Sequence, residues 1–161
     1  MTPLPTLVHA MLETESGPIP VRDFAHFLYH FRAAYVAALD AGKQLGFAEE
    51  PTGTVLRQLA EQVAQELSRA GPPGISRLAL ANLPAVEELN LVDIFRINPI
   101  DIVFSCIGVA LSAAVIVAGG EVKWDEDGFH VKIPPLHTGI AKLELAINGE
   151  GQLHKRLVSE A

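Results

Sequence analysis

The sequence predicts a mixed α+β fold, in which short antiparallel strands and hairpins accompany two amphipathic helices and one all-apolar helix. Three observations carry this prediction: an aromatic stripe at helical spacing, β-branched segments between turn signals, and an uncharged run from Ile102 to Gly120. Of the 161 residues, 49% are hydrophobic and 19% are charged. This composition indicates extensive burial, an oligomer interface or contact with lipid.

Three stretches divide the chain. The sequence predicts that residues 1–70 form an N-terminal half made of a strand and two helices, and that residues 71–87 form a connector. Residues 88–161 predict a strand, the apolar helix, a hairpin and a C-terminal segment. Because 161 residues fit one domain with a sizeable core, we expect both halves to form one compact unit.

The N-terminal half is predicted to begin with a strand over residues 6–14, with residues 19–21 as its short edge partner. Residues 22–39 predict the clearest helix, because their aromatic and aliphatic side chains recur on one face. Residues 54–70 predict a second amphipathic helix. The sequence Gly71-Pro72-Pro73-Gly74 ends this helix.

The C-terminal half combines strand signals with one ambiguous segment. Residues 88–97 are apolar at both parities, which predicts a strand covered on both faces. Residues 121–133 predict a hairpin, because Asp127-Gly128 is a strong turn pair. Residues 138–147 fit a helix and a strand equally well, so their periodicity leaves both open.

The apolar helix is predicted to span about residues 98–119. Asn98 is a favourable N-cap, Pro99 suits the first helical position, and Gly119 supplies a stop. A helix with no polar face is either a buried core helix or a membrane span. The flanks lack the Lys/Arg cluster typical of the cytoplasmic side of a single-pass anchor, which argues against a simple span.

Small residues recur at four-residue spacing along this helix. Gly108 and Ser112 form one ridge, and Ala110 and Ala114 belong to another. Such ridges let a second backbone approach closely. We therefore predict helix contacts at these four residues, with a second copy, a protein partner or another helix in a membrane. The alternative is that the ridges fit the helix against a sheet in a compact core.

Charge and cysteine content restrict the partners and the compartment. The net charge of −7 disfavours nucleic acid and charge-driven docking onto an anionic membrane. The single cysteine, Cys106, cannot form an internal disulfide. The N-terminal residues lack the features of a signal peptide, and Thr2 excludes N-myristoylation. We expect a protein of the cytoplasm or of the cytoplasmic face of a membrane.

Two histidines are the candidates for metal binding. His26 and His30 lie four residues apart on the helix face opposite the predicted core stripe, a spacing that allows two ligands to hold one ion. No third ligand is evident in the sequence. The prediction is therefore that the chain has no metal site and no cofactor, with His26 and His30 as weak candidates.

No phosphate-binding, dinucleotide-binding or nucleophile-elbow motif occurs in the sequence, so nothing in it predicts an enzyme, although activity remains open. We expect a non-enzymatic assembly protein, either a homo-oligomer or one that binds a protein partner, that associates through the apolar helix with itself or with a membrane. The alternative is a small soluble enzyme or ligand-binding protein with a pocket between the apolar helix and the sheet. His26, His30 or His130 would supply its polar groups.

Overall fold

The computed structural model describes residues 7–13, 19–45, 53–96, 100–125 and 128–149 of the chain, and it confirms a mixed α+β fold. The elements in chain order are β1 (Leu7–Glu13), α1 (Val21–Leu45), α2 (Gly53–Ala79), β2 (Asn90–Arg96), β3 (Ile100–Ile107), α3 (Gly108–Val117), β4 (Glu121–Asp125), β5 (Gly128–Lys132) and α4 (Leu136–Ile147).

The strands form one five-stranded sheet in the order β2-β3-β1-β5-β4. Strand β1 lies at its centre, antiparallel to β3 and parallel to β5. The sequence predicted antiparallel strands, so the parallel pair of β1 and β5 differs from the prediction. The predicted hairpin between β1 and residues 19–21 is wrong, because Val21 already belongs to α1 and β1 pairs with distant strands. The hairpin of β4 and β5 is confirmed.

The predicted apolar helix over residues 98–119 is wrong in its first half. Residues 100–107 form β3, which pairs with β1 on one side and β2 on the other. A short apolar run gives no periodic signal that separates a strand from a buried helix. The proposed cap at Asn98-Pro99 lies outside the described residues.

Helix α3 therefore covers ten residues and ends as the glycines predict. Gly119 has a left-handed backbone, with φ of 86°. Its N–H donates to the carbonyl of Ile116, and the N–H of Gly120 donates to the carbonyl of Val115. This is the Schellman arrangement, which satisfies carbonyl groups that a helix end otherwise leaves unpaired.

Helix α3 lies between the sheet and the other helices. It contacts β1, β3, β4 and β5, and it also packs against α1, α2 and α4. Its apolar character on every side follows from this position, because both of its faces meet protein. No helix among the described residues has the length and apolarity needed to cross a bilayer.

The remaining elements correct the predictions in detail. Helix α1 packs on α2, α3 and α4. Ala33 and Ala37, which lie away from the predicted core stripe, are therefore fully buried as well. Helix α2 bends at Gly71, whose φ is 63°, and resumes at Pro72, where a missing N–H costs nothing. Strand β2 is an edge strand, and Leu91 near its start is 51% exposed, whereas the side chains of residues 92–96 lie outside those that the structure describes. Residues 138–147, for which the sequence left helix and strand both open, belong to α4.

Candidate metal centre

Three side chains that can bind a metal ion converge between α1 and α4. They are His26, His30 and Glu144, and one ligand atom from each lies within 4.8 Å of the other two. Nε2 of His26 is 3.4 Å from Oε1 of Glu144. The imidazole rings meet edge to face, with centroids 4.4 Å apart. Two helices therefore bring two imidazoles and one carboxylate to one place.

The packing of α4 on α1 places Glu144 beside the histidines. Gly139 faces Phe27, where an added Cβ would lie 3.2 Å from the ring atom Cε2. Glycine at this position therefore lets the two helices approach closely. The buried stripe of α4 includes Leu143 and Ile147, so the adjacent Glu144 lies at the margin of the packed face.

A hydrogen bond orients the His30 ring. Its Nδ1 lies 3.1 Å from the backbone oxygen of His26, and a carbonyl oxygen can only accept. Nδ1 therefore carries the proton, and Nε2 retains the lone pair that binds a metal. Burial lowers the pKa of His30 below its ordinary value, so the ring is neutral at pH 7. Protein metal sites commonly orient their histidines through the same kind of hydrogen bond.

The spacing of the cluster suits a small divalent ion after modest closure. Two ligands of a tetrahedral zinc ion, each bound at about 2.1 Å, stand about 3.4 Å apart. The atoms of His26 and Glu144 already have this separation. Their side chains are 42% and 46% exposed, so both are free to rotate and bring the remaining ligand distances into range. Two imidazoles with one carboxylate suit zinc and other first-row divalent metals.

The residues predicted from the sequence as functional lie in two places: the histidines in this cluster and the helix-contact residues in the core. His26 and His30 come together, and Glu144 is the third ligand that the sequence did not reveal. Glu144 comes close to the histidines only because residues 138–147 form a helix that packs on α1. The side chain of His130 lies outside those that the structure describes.

The four predicted helix-contact residues (Gly108, Ala110, Ser112 and Ala114) are all buried on α3. The hydroxyl of Ser112 donates to the backbone oxygen of Gly108 at 2.7 Å, so this buried polar group is satisfied within the helix.

A second ordered polar cluster fastens the segment between α2 and β2. Arg32 donates to the backbone oxygens of Ala79 and Ala81 at 2.7 and 2.8 Å, and to both carboxylate oxygens of Glu88. These hydrogen bonds from Arg32 hold the pKa of Glu88 below its ordinary value. The hydroxyl of Tyr35 donates to the backbone oxygen of Glu87 at 2.5 Å. The segment is therefore held against α1.

The fastened segment nevertheless turns large apolar side chains outward. Leu80 is 71% exposed, Val86 is 68% exposed, and Leu91 follows at the start of the edge strand β2. We refer to Leu80, Val86 and Leu91 as the connector surface.

Comparisons with protein-family models, with curated proteins and with solved structures found no match. The fold and the cluster define a mixed α+β protein with a candidate metal centre between two of its helices.

Proposed function

We propose that this protein binds a divalent transition-metal ion, with zinc as the preferred candidate, through His26, His30 and Glu144. The sequence predicted no metal site, and its ligand-binding alternative placed a pocket between the apolar helix and the sheet, whereas this cluster lies between α1 and α4. The observation that carries the proposal is the convergence of three ligand atoms, from two different helices, within 4.8 Å of one another.

Two features support a metal over a simple surface ion pair. A pair between His26 and Glu144 alone needs no third group, yet His30 lies beside it with one nitrogen already committed to a backbone oxygen. The neutral state of His30 at pH 7 also suits a metal ligand, because a protonated imidazole cannot bind. Bound metal would join α1 to α4 and stabilise the folded state.

Zinc is expected to raise the melting temperature of the metal-free protein by about 5–10 °C when free zinc is 100 times Kd. A ligand at this concentration adds about 2.7 kcal/mol, and each kcal/mol shifts Tm by about 2–4 °C in a chain of this size. Calorimetric titration should give one ion per chain. His26→Ala and Glu144→Gln should each remove most of the shift.

His137→Ala is the matched control, because His137 is an exposed histidine on α4 that does not belong to the cluster. It should keep the full zinc response. Equal loss of response in His137→Ala and His26→Ala would show scattered surface binding and contradict the proposal. So would the absence of any one-to-one binding heat in the unsubstituted protein.

Self-association remains a second candidate function, now through the connector surface and β2 rather than through α3. Its specific observation is an edge strand adjoining exposed Leu80, Val86 and Leu91. An edge strand offers unpaired backbone groups, and two identical edges can pair antiparallel about a two-fold axis. A second copy of this chain is therefore the proposed occupant.

Light scattering is expected to show a dimer, and Val86→Asp combined with Leu91→Asp should convert it to a monomer. Val21→Asp is the control, because Val21 is 82% exposed at the start of α1, outside the connector surface. A monomer of unsubstituted protein at about 100 μM, or a dimer that the double substitution leaves intact, would contradict this second function. The micromolar range is where weak but specific pairs form.

A further inference from the structure

We infer that the metal held by His26, His30 and Glu144 keeps an open coordination position that takes a small monodentate anion from solution. This inference rests on the proposed metal binding and adds the class of its exogenous ligand.

The number of ligands leaves room on the ion. Structural zinc sites usually have four protein ligands, whereas sites that exchange water or substrate have three. Among the side chains that the structure describes, the cluster contains His26, His30 and Glu144 and no fourth His, Cys, Asp or Glu. A tetrahedral ion bound by these three therefore has one position left for water or another ligand.

Solvent reaches the cluster from one side. The side chains of His26 and Glu144 are 42% and 46% exposed, and His30 is partly buried. The buried side of the cluster thus meets the packed helices, and its exposed side meets water. An incoming ligand needs no conformational opening to reach the ion.

The charge of the loaded site selects an anion. Two neutral imidazoles and one carboxylate leave a divalent ion with a net charge of +1, and a bound ion is often the largest charge in its site. Exposed Arg22 lies one helical turn before His26 on the same face of α1, and Asp23, three residues before His26, carries the opposite charge beside it. Side chains four residues apart on a helix have Cβ atoms about 6 Å apart. A monoanion would neutralise the ion and gain from Arg22.

Cobalt substitution with azide tests the inference. Co²⁺ bound to nitrogen and oxygen ligands absorbs in the visible, and the bands change when a ligand on the ion is exchanged. We expect one equivalent of Co²⁺ to give visible bands that are absent in His30→Ala. Sodium azide should then shift these bands along a saturable curve with one binding site.

Arg22→Gln should weaken the azide affinity by about two- to five-fold, the effect of losing one exposed charge. Arg57→Gln removes an exposed cation from α2 and should leave the azide affinity unchanged.

The outcomes separate this inference from the proposed function. Absence of the Co²⁺ bands would overturn both. Co²⁺ bands that need His30 but stay the same up to about 100 mM azide, a concentration that saturates ligands of millimolar Kd, would overturn the open position alone. That result would mean that a fourth protein group or a second copy fills the position. An azide shift of equal affinity in Arg22→Gln would remove Arg22 from the inference and leave the open position in place.

Discussion

Replacing Arg32 with alanine is expected to lower the free energy of unfolding by about 3 kcal/mol. The guanidinium makes four hydrogen bonds, to Ala79, Ala81 and both carboxylate oxygens of Glu88, and its side chain is only 20% exposed. Removing one partner of a largely buried ion pair leaves the other charge unpaired, which typically costs about 3–5 kcal/mol. The lower end applies because Glu88 is 31% exposed. Urea denaturation measures the change.

Arg69→Ala is the matched control for Arg32→Ala. Arg69 pairs with Glu66 one helical turn away at 3.1 Å, but its side chain is 73% exposed. Such pairs contribute about 0–1 kcal/mol. Arg32→Lys should recover part of the loss, because an ammonium keeps the charge without the planar fork that reaches two carbonyls and a carboxylate. Equal costs for Arg32→Ala and Arg69→Ala would contradict the role given to Arg32.

Replacing Leu111 with alanine is expected to destabilise the fold by about 3–4 kcal/mol. Leu111 lies at the middle of α3 and is fully buried, and α3 has protein on both of its sides. Deleting a large buried side chain costs its transfer free energy and leaves a cavity, together about 2–5 kcal/mol. The melting temperature should fall by about 6–15 °C, and the fall should not depend on protein concentration.

The control for Leu111→Ala is Leu80→Ala. Leu80 is 71% exposed, and substitutions at such positions usually change stability by no more than about 0.5 kcal/mol. A Leu111 effect that diminishes as the protein is diluted would contradict the single-chain burial of α3. It would instead place part of the apolar helix at an interface between copies.

Local signals predicted those parts of the fold that depend on near neighbours. The periodic stripe of α1, the turn signal between β4 and β5 and the glycine stop of α3 each act over a few residues, and the helices and the strand pair that they predict are present. The helix predicted over residues 100–107 was wrong because the structure of this segment depends on distant residues. The pairing of this segment with β1 and β2 is a long-range property, and its mainly apolar sequence shows no period that separates a strand from a buried helix.

The candidate site divides in the same way. His26 and His30 were visible because one helix sets their spacing, four residues apart on one face. Glu144 was not visible, since its place beside them depends on the crossing of α4 over α1, which the contact between Gly139 and Phe27 permits. No rule of sequence spacing links a carboxylate to ligands more than 100 residues earlier.

The central place of β1 sets a delay during synthesis of the chain. Leu7 pairs with Ile107, and Met11 pairs with His130, so the first strand made must wait for partners about 100 residues later. Ribosomes add about 5–20 residues per second, which leaves this strand without neighbours for roughly 5–20 s. Until then β1 has no neighbouring strand, and the two outer parts of the sheet have nothing to join them.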